Sequence, residues 1–575
     1  MRALEQLGLT LRTARHLEPL QAAAWALHQV RRRLPPPPGA GLLLSALGRA
    51  AGDPSPAVLS ALAETTAALL PATPQAAAAR AALAGRFEHL HRTADLGWPV
   101  DWRYCGHGLL WCYHLNYLDE LPILAQLGDE DGLARLVRGW RDGCATLSGP
   151  PWDPYPTALR TLNLARALAF ATPATRGLLC AEIARGACWL AAHLEVHLGA
   201  NHLLADLHAL AVSAALLPSH PVLRRLRPTI RALLRREVDA QILPDGGHYE
   251  RSPMYHALVT AGLCELRAVL AAARDPLAGP VADAAARAAR FQETIRHPDG
   301  SLPAFNDSNG REPFDPALAR ALTGDVEGRA VALVPTGLVV LRAPDRHLVM
   351  DCGPIGPDHQ PGHAHADALS FELSVGRQRV VINAGIRGYA DDPTRAWSRS
   401  TAAHSTVQIG DGDQIELWSA FRVGRRAAAA LLGHGERGLA AEAVAEVPWP
   451  LLPGRPVHRR RLLLGADLLI LDSVNAGDLP VRSRLHLHPD VAVEPLDGVM
   501  SLTWAGGRLL LTAAGATVHV ERAPVFPDFG MTREGAVVVL ETRGDARIAV
   551  GLSHDARVTA SARGAMLGAL SATWP

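Results

Sequence analysis

The sequence predicts a helical region followed by an antiparallel β-sheet region, and three observations carry that reading. From about Pro56 to Leu322, apolar residues recur at three- and four-residue spacing, the period of helices with one buried face. From about Val334 the period becomes two, the mark of strands whose side chains alternate between core and solvent. In the first region helix follows helix with no strand between, so the helices have only one another to bury against and pack as hairpins in a layer or ring.

Taken in order, residues 1–50 read as an N-terminal extension. Charges interrupt its start, where a secretory signal needs an unbroken apolar stretch, so a cytoplasmic location is expected, with periplasmic or secreted locations left open. Arg31–Gly41, with three arginines and four prolines, reads as an irregular connector. The helical domain is placed at 51–325, with helices over Ala158–Ala171, Leu178–Leu198, Leu203–Leu216 and Ala257–Ala273. Breaks at Ser148-Gly-Pro-Pro-Trp152 and Leu217-Pro-Ser-His-Pro221 separate them. The β domain is placed at 330–575, with a candidate subdivision near 430–480. Its strands include Leu338–Arg342, Leu369–Val375, Arg379–Ile382, Arg461–Leu464, Leu468–Leu471, Leu509–Thr512 and Val537–Glu541. Gly376-Arg-Gln-Arg379 and Gly465-Ala-Asp467 are short enough to close hairpins, and the simplest assembly is a sandwich.

Composition removes several functions. Of 575 residues, 57 are basic and 56 acidic, a net +1, which lacks the electrostatic footprint of a nucleic-acid binder. Every one of those basic residues is arginine, which excludes Schiff-base lysine chemistry and a lysine-dependent phosphate loop. Seven cysteines, an odd number with no C-x-x-C pair, argue against a disulfide framework or a cysteine-ligated zinc ribbon. No uncharged apolar run reaches the ~18–20 residues that span a bilayer; Ala257–Arg274 is interrupted by Glu265 and Arg267.

Chemistry-bearing residues fall into four clusters between apolar runs, a distribution that packing alone does not explain. The densest is Gly362-His-Ala-His-Ala-Asp367. Read as extended chain it puts His363, His365 and Asp367 on one face, in phase with Leu369, Phe371, Leu373 and Val375, so the imidazoles are expected at the mouth of a buried region. The others are Gly199-Ala-Asn-His-Leu-Leu204, Asp245-Gly-Gly-His-Tyr-Glu-Arg-Ser-Pro-Met-Tyr-His256, and the pair Val381-Ile-Asn-Ala-Gly-Ile-Arg-Gly-Tyr389 with Arg395–Val407.

Those clusters, in that order, resemble the heparinase II/III-like polysaccharide lyases, which include related alginate lyases. The match runs through Asn201-His202, Asp245–Glu250, His363–Phe371 and Arg395–Thr406. Trp111–Tyr117, Trp152–Pro156 and Arg484–Pro489 extend it over roughly two thirds of the chain. The resemblance implies an N-terminal (α/α) toroid, an incomplete helical barrel, followed by antiparallel β-sandwich domains.

It also implies β-elimination at C4 of a uronic acid in an acidic polysaccharide or oligosaccharide, with a homo-oligomer as a candidate assembly. Such a reaction needs donors that neutralise the uronate carboxylate, a base for the C5 proton and an acid for the departing O4. Asn201 and His202 match the carboxylate-binding pair, with Arg251 as helper, although Asn201-His202 also suits the cap of a helix beginning at Leu203. Tyr249 matches the proton-transfer group at O4, and at C5 too in a syn elimination. His363 is the second proton-transfer or carboxylate-binding group, and Tyr389 the second tyrosine of some relatives. Glu250, His256, Arg395 and Arg399 are substrate-binding candidates; for the arginines, holding a loop against the sheet is the alternative. The family's zinc ligands correspond to His365, Asn383 and His404. Asn383 stands where an aspartate is expected, and a neutral amide is a poor zinc ligand, so the ion is in doubt from the sequence; Asp367 substitutes only if its loop bends away from strand geometry, and the ion's role is then structural. Two other functions stay open: a glycoside hydrolase using carboxylates such as Glu250 and Asp206, and a non-catalytic protein of glycan binding or polysaccharide assembly.

Overall fold

The computed structural model describes residues 2–31, 33–310, 314–324, 326, 328–496 and 498–554. Three helices open the chain: α1 (Arg2–Ala14), α2 (Pro19–Arg31) and α3 (Ala40–Arg49), so most of the extension is regular structure. Next come α4 (Pro56–Leu69), α5 (Ala72–Leu83), α6 (Leu109–Tyr117), α7 (Glu120–Gln126) and α8 (Glu130–Gly143). Antiparallel pairs follow: α9 (Pro154–Leu168) with α10 (Pro173–Ala191), α11 (Ala200–Leu216) with α12 (Pro221–Gln241), and α13 (Pro253–Ala272) with α14 (Ala278–Ile295). Proline begins many of these helices, where its missing N–H costs nothing and its fixed φ already suits the helix.

In each pair the first helix lies inside. Helices α9, α11 and α13 pack side by side and are buried nearly all round, whereas α12 keeps a basic outer face. This inner and outer alternation is the toroid. Helix α13 is long and apolar enough by composition to cross a membrane, yet most of it is buried in this core. Buried charges inside the ring meet one another: Arg166 forks onto Glu265 at 2.8 and 2.9 Å, and His208 meets the same carboxylate at 3.0 Å. A short hairpin, Arg86–His89 with Arg92–Asp95, interrupts the helices. The sequence reading missed it because four-residue strands carry little periodicity.

Two antiparallel sheets form the rest. One runs in the order Thr517–Val525, Arg533–Arg543, Pro480–Leu487, Gln378–Ile382, Phe371–Val375, Arg346–Asp351, Leu338–Ala343, Ala330–Leu333, with Val407–Ile409 also paired to Pro480–Leu487. The other runs Ala430–Arg437, Ala440–Pro448, Val457–Leu464, Leu468–Val474, Ala546–Ser553, Gly507–Ala514, Val499–Trp504, Ala492–Leu496. Their facing side chains share one core, with Leu341, Leu348 and Phe371 from the first against Ala443, Leu462 and Ile470 from the second. Residues 430–474 are thus four strands of the second sheet, and the predicted domain beyond 554 lies outside the described residues. The expected hairpins close at Gly376–Arg377 and Gly465–Asp467.

Toroid and sandwich join through an apolar seam. Phe291 and Ile295 of α14, with Leu302 and Phe305, pack on Leu338, Val340 and Val349 of the first sheet. One expectation is corrected here. The strand begins at Phe371 rather than Leu369, whose φ is +60°, and 363–370 is a loop, so His363, His365 and Asp367 are not aligned by strand alternation.

Candidate active site

Four loops converge where toroid meets sandwich. At the first, Gly199 and Ala200 both have positive φ, 64° and 51°, and this double left-handed step turns the chain so that α11 presents Asn201 and His202 from its first turn. Gly199 occupies the cap position with no side-chain bond, so Asn201 does not cap the helix. Instead its Nδ2 donates to Glu250 Oε2 at 2.8 Å, and its buried Oδ1 has no hydrogen-bond partner. His202 is half-buried, with Nδ1 2.9 Å from Glu195 Oε2 and its ring over Tyr155 at 4.5 Å. Burial works against its protonation, but the Glu195 charge and hydrogen bond, with the Glu250 charge, outweigh it and raise the pKa above 6.5.

The second loop is the turn after α12. Asp245 accepts from Thr336 N at 2.8 Å and Thr336 Oγ1 at 2.9 Å, so it clamps the turn to the sandwich. Gly246 has φ +93°, and a Cβ there would lie 2.1 Å from the Arg287 carbonyl, so only glycine fits. The turn delivers Tyr249 and Glu250. Tyr249 is nearly buried beside His248 and His359. Burial first, and then the Glu250 and Glu237 charges, push its pKa upward. At neutral pH it is a phenol, with a proton to give.

Asp307, on the third loop, is the hub that the sequence reading missed. Fully buried, it meets His363 Nδ1 and His365 Nε2, each at 2.8 Å, and receives a forked Arg395 guanidinium. With a carboxylate at Nδ1, the His363 tautomer that donates to it leaves Nε2 unprotonated, and that atom lies 3.6 Å from Glu250 Oε1. The fourth loop carries Tyr389, whose hydroxyl is 2.8 Å from that of Tyr255; the Tyr255 ring stacks on His363 at 4.0 Å. Glu195 joins Asp307 as a residue outside the sequence motifs and clusters, while Tyr155 and Tyr255 lie within them without an assigned role. The run Asn306-Asp-Ser-Asn309 was the available signal for Asp307, a polar stretch flanked by Phe305 and a glycine.

Asn201, His202, Tyr249, Glu250, His363 and Tyr389 are therefore brought together, and four substrate-binding assignments are corrected. His256 is buried against Phe291, its Nδ1 accepting from His248 N and its Nε2 on the Ala288 carbonyl. Burial lowers its pKa to about 3. Arg251 spends its guanidinium on the Thr336, Pro335 and Tyr249 carbonyls. Arg399, buried, binds the Ala364 and Ser419 carbonyls. Arg395 is committed to Asp307 and the Ala420 carbonyl. All three arginines hold loops in place, the alternative weighed for two of them. Their partners are backbone carbonyls or a carboxylate distant in sequence, and sequence spacing does not reveal those.

The anticipated metal trio is corrected at Asn383. Asn383 Oδ1 accepts from Ser405 N at 3.0 Å and stands outside the group of donors. Asp367 takes its place: single ligand atoms of His365, Asp367 and His404, all buried, lie within 4.8 Å of one another. His365 Nε2 meets Asp307, and its Nδ1 faces His404 Nε2 at 3.2 Å. Two ligands at about 2.0 Å from a tetrahedral zinc ion are about 3.3 Å apart, so the spacing of these two imidazoles suits zinc.

The comparisons with known proteins agree with this architecture. The family model of the heparinase II/III N-terminus matches residues 174–317, and that of the heparinase II/III-like C-terminal region matches residues 327–560. FtsZ-localized protein C of Caulobacter vibrioides is 27% identical over 465 residues, 75% of this chain and 78% of that protein. A heparin-sulfate lyase of Bacteroides stercoris is 23% identical over 254 residues, 38% of each chain. A heparinase III crystal structure superposes with a TM-score of 0.68 at 17% identity, covering 84% of this chain and 85% of that one. Heparan sulfate lyase HepC from Pedobacter heparinus gives 0.57 at 17% identity, over 84% and 83%. With both family regions matched in order across the toroid and the sandwich, the chain belongs to the heparinase II/III-like family.

Proposed function

We propose that the chain is a polysaccharide lyase that cleaves a uronate-containing glycan by β-elimination. The observation that carries this is the pairing, across Glu250, of a phenol kept protonated, Tyr249, with an imidazole oriented by a carboxylate, His363. In this reading the second Asn201 amide N–H and protonated His202 face the uronate carboxylate and lower the acidity barrier at C5. His363 Nε2 removes the C5 proton, and Tyr249 donates its hydroxyl proton to O4 as the C4–O4 bond breaks. Tyr255 and Tyr389 supply ring faces beside the base. Arg251, Arg395 and Arg399 are all committed, so the centre suits a carboxylate better than a dense array of sulfates. Ultraviolet absorbance of the unsaturated uronate, read over a panel of sulfated and unsulfated acidic polysaccharides, tests the reaction; a folded protein silent on the whole panel overturns it.

His202 makes the reaction pH-dependent. Its protonated form is the working one, so kcat/KM falls as pH rises through a pKa above 6.5. Glu195→Gln removes the main cause of that elevation, so the alkaline limb moves to lower pH. A limb unchanged in the variant removes His202 from the role.

We further propose that His365, Asp367 and His404 hold one zinc ion, whose part is to pin the His363-bearing loop to the loop of His404. One zinc per chain by atomic absorption, lost in His404→Ala together with a lower melting temperature, is the expected result. Protein loaded in zinc and dialysed without retaining it overturns this.

A second reading has one observation in its favour: the Caulobacter relative spans twice the share of this chain that the Bacteroides lyase does. Under it the fold serves FtsZ-associated localisation without elimination. Fluorescent fusions at the division plane, combined with silence in the absorbance assay, are its expected result.

A further inference from the structure

Helices α1 and α2 turn polar side chains inward and leave apolar ones exposed, whereas α3 seats Leu44 and Leu47 on the body and exposes Leu42 and Leu43. The inward contacts fasten the helices to the body. Arg12 of α1 forks onto Glu416 at 2.8 and 2.9 Å, and Thr13 meets the Val423 carbonyl and the Trp418 indole. In α2, Gln21 donates to the His197 and His359 carbonyls, His28 stacks on His197 at 4.0 Å, and Arg31 reaches the Ala192 carbonyl. Outward, the spacing Leu20, Leu27, Val30, Leu34 puts one apolar stripe along α2 and just past its end, and Leu7 with Leu11 forms an exposed i, i+4 pair on α1. Leu27 and Trp25 are each 49% exposed and Val30 56%. Among the described residues, nine of the nineteen exposed large apolar side chains fall between Leu7 and Leu43, so the apolar surface is concentrated and not scattered.

Charge decides what covers it. Among the described side chains, the exposed ionised ones between Glu5 and Arg49 are Arg15, Arg31, Arg33 and Arg49 against Glu5 and Glu18, an excess of two positive charges. A second copy would bring the same arginines against one another. An anionic lipid surface meets them with the opposite sign and takes up leucine, valine and tryptophan at the headgroup boundary. We propose that the outer face of α1 to α3 docks on an anionic bilayer surface, with the helices lying in the interface and none crossing it.

Flotation of the full chain with vesicles tests this. Phosphatidylcholine vesicles containing phosphatidylglycerol carry about tenfold more protein upward than phosphatidylcholine alone, and added salt reduces the difference. Leu27→Glu and Val30→Glu, both at exposed positions, return flotation to the neutral-vesicle level without changing the melting temperature. Failure to float on anionic vesicles overturns the proposal in either of two ways. A dimer in light scattering that the same substitutions dissolve assigns the face to a second copy; a monomer throughout leaves it with no docking role.

Discussion

Tyr249→Phe is expected to lower kcat for unsaturated-uronate formation by about 10²–10⁴-fold, the range for losing a positioned acid, while the fold survives. Only one hydroxyl is removed, so the change in packing is small. The raised pKa of Tyr249 gives the prediction its direction. Burial and the neighbouring Glu250 and Glu237 carboxylates keep the proton on the phenol, so Tyr249 serves O4 as an acid more readily than C5 as a base. His363→Ala is expected to match it in kcat. A Tyr249→Phe enzyme with unaltered turnover, measured by product absorbance, removes the proposed mechanism.

Asp307→Ala is expected to be the most damaging single change to the fold of the site. One buried carboxylate orients His363, fixes the tautomer of His365 and neutralises Arg395. Removing it leaves a buried guanidinium uncompensated, for which about 3–5 kcal/mol of destabilisation is the usual scale, read by denaturant midpoint. Burial alone raises a carboxyl pKa, but the Arg395 charge and the two imidazole hydrogen bonds win and hold Asp307 well below the usual range. The sign follows. With the folded pKa below the unfolded value of about 3.9, the contribution is fully present above that value and is lost as pH falls through the folded pKa. The wild-type protein therefore loses this part of its acid stability below about pH 4, and Asp307→Asn flattens that limb. An acid limb identical in Asp307→Asn assigns the loss to other carboxylates.

Arg460 shows how the sandwich carries the site. Buried and paired with Asp472, it donates to the Leu369 and Ser405 carbonyls at 2.8 Å each, tying the loop after His363 and His365 to the segment after His404. In the sequence it is one arginine in an alternating strand.

By itself the sequence determined the order of helical and β regions, the inner helices and the most apolar of the strands, because a helix or strand with one buried face writes its period into the chain. It also determined the clusters around Asn201, Tyr249, His363 and Tyr389, since polar side chains crowded between apolar runs have no packing reason to be there. Tertiary structure alone decided which groups those side chains face. Asp307 and Glu195 enter the site from segments outside the clusters, Asp367 rather than Asn383 stands beside His365 and His404 because the loop departs from strand geometry at Leu369, and Arg251, Arg395 and Arg399 turn to carbonyls and a carboxylate. The same holds for α1 and α2, whose polar faces turn inward because the body offers Glu416, His197 and His359 as partners. Periodicity records which residues share a face, and only the folded chain fixes what that face meets.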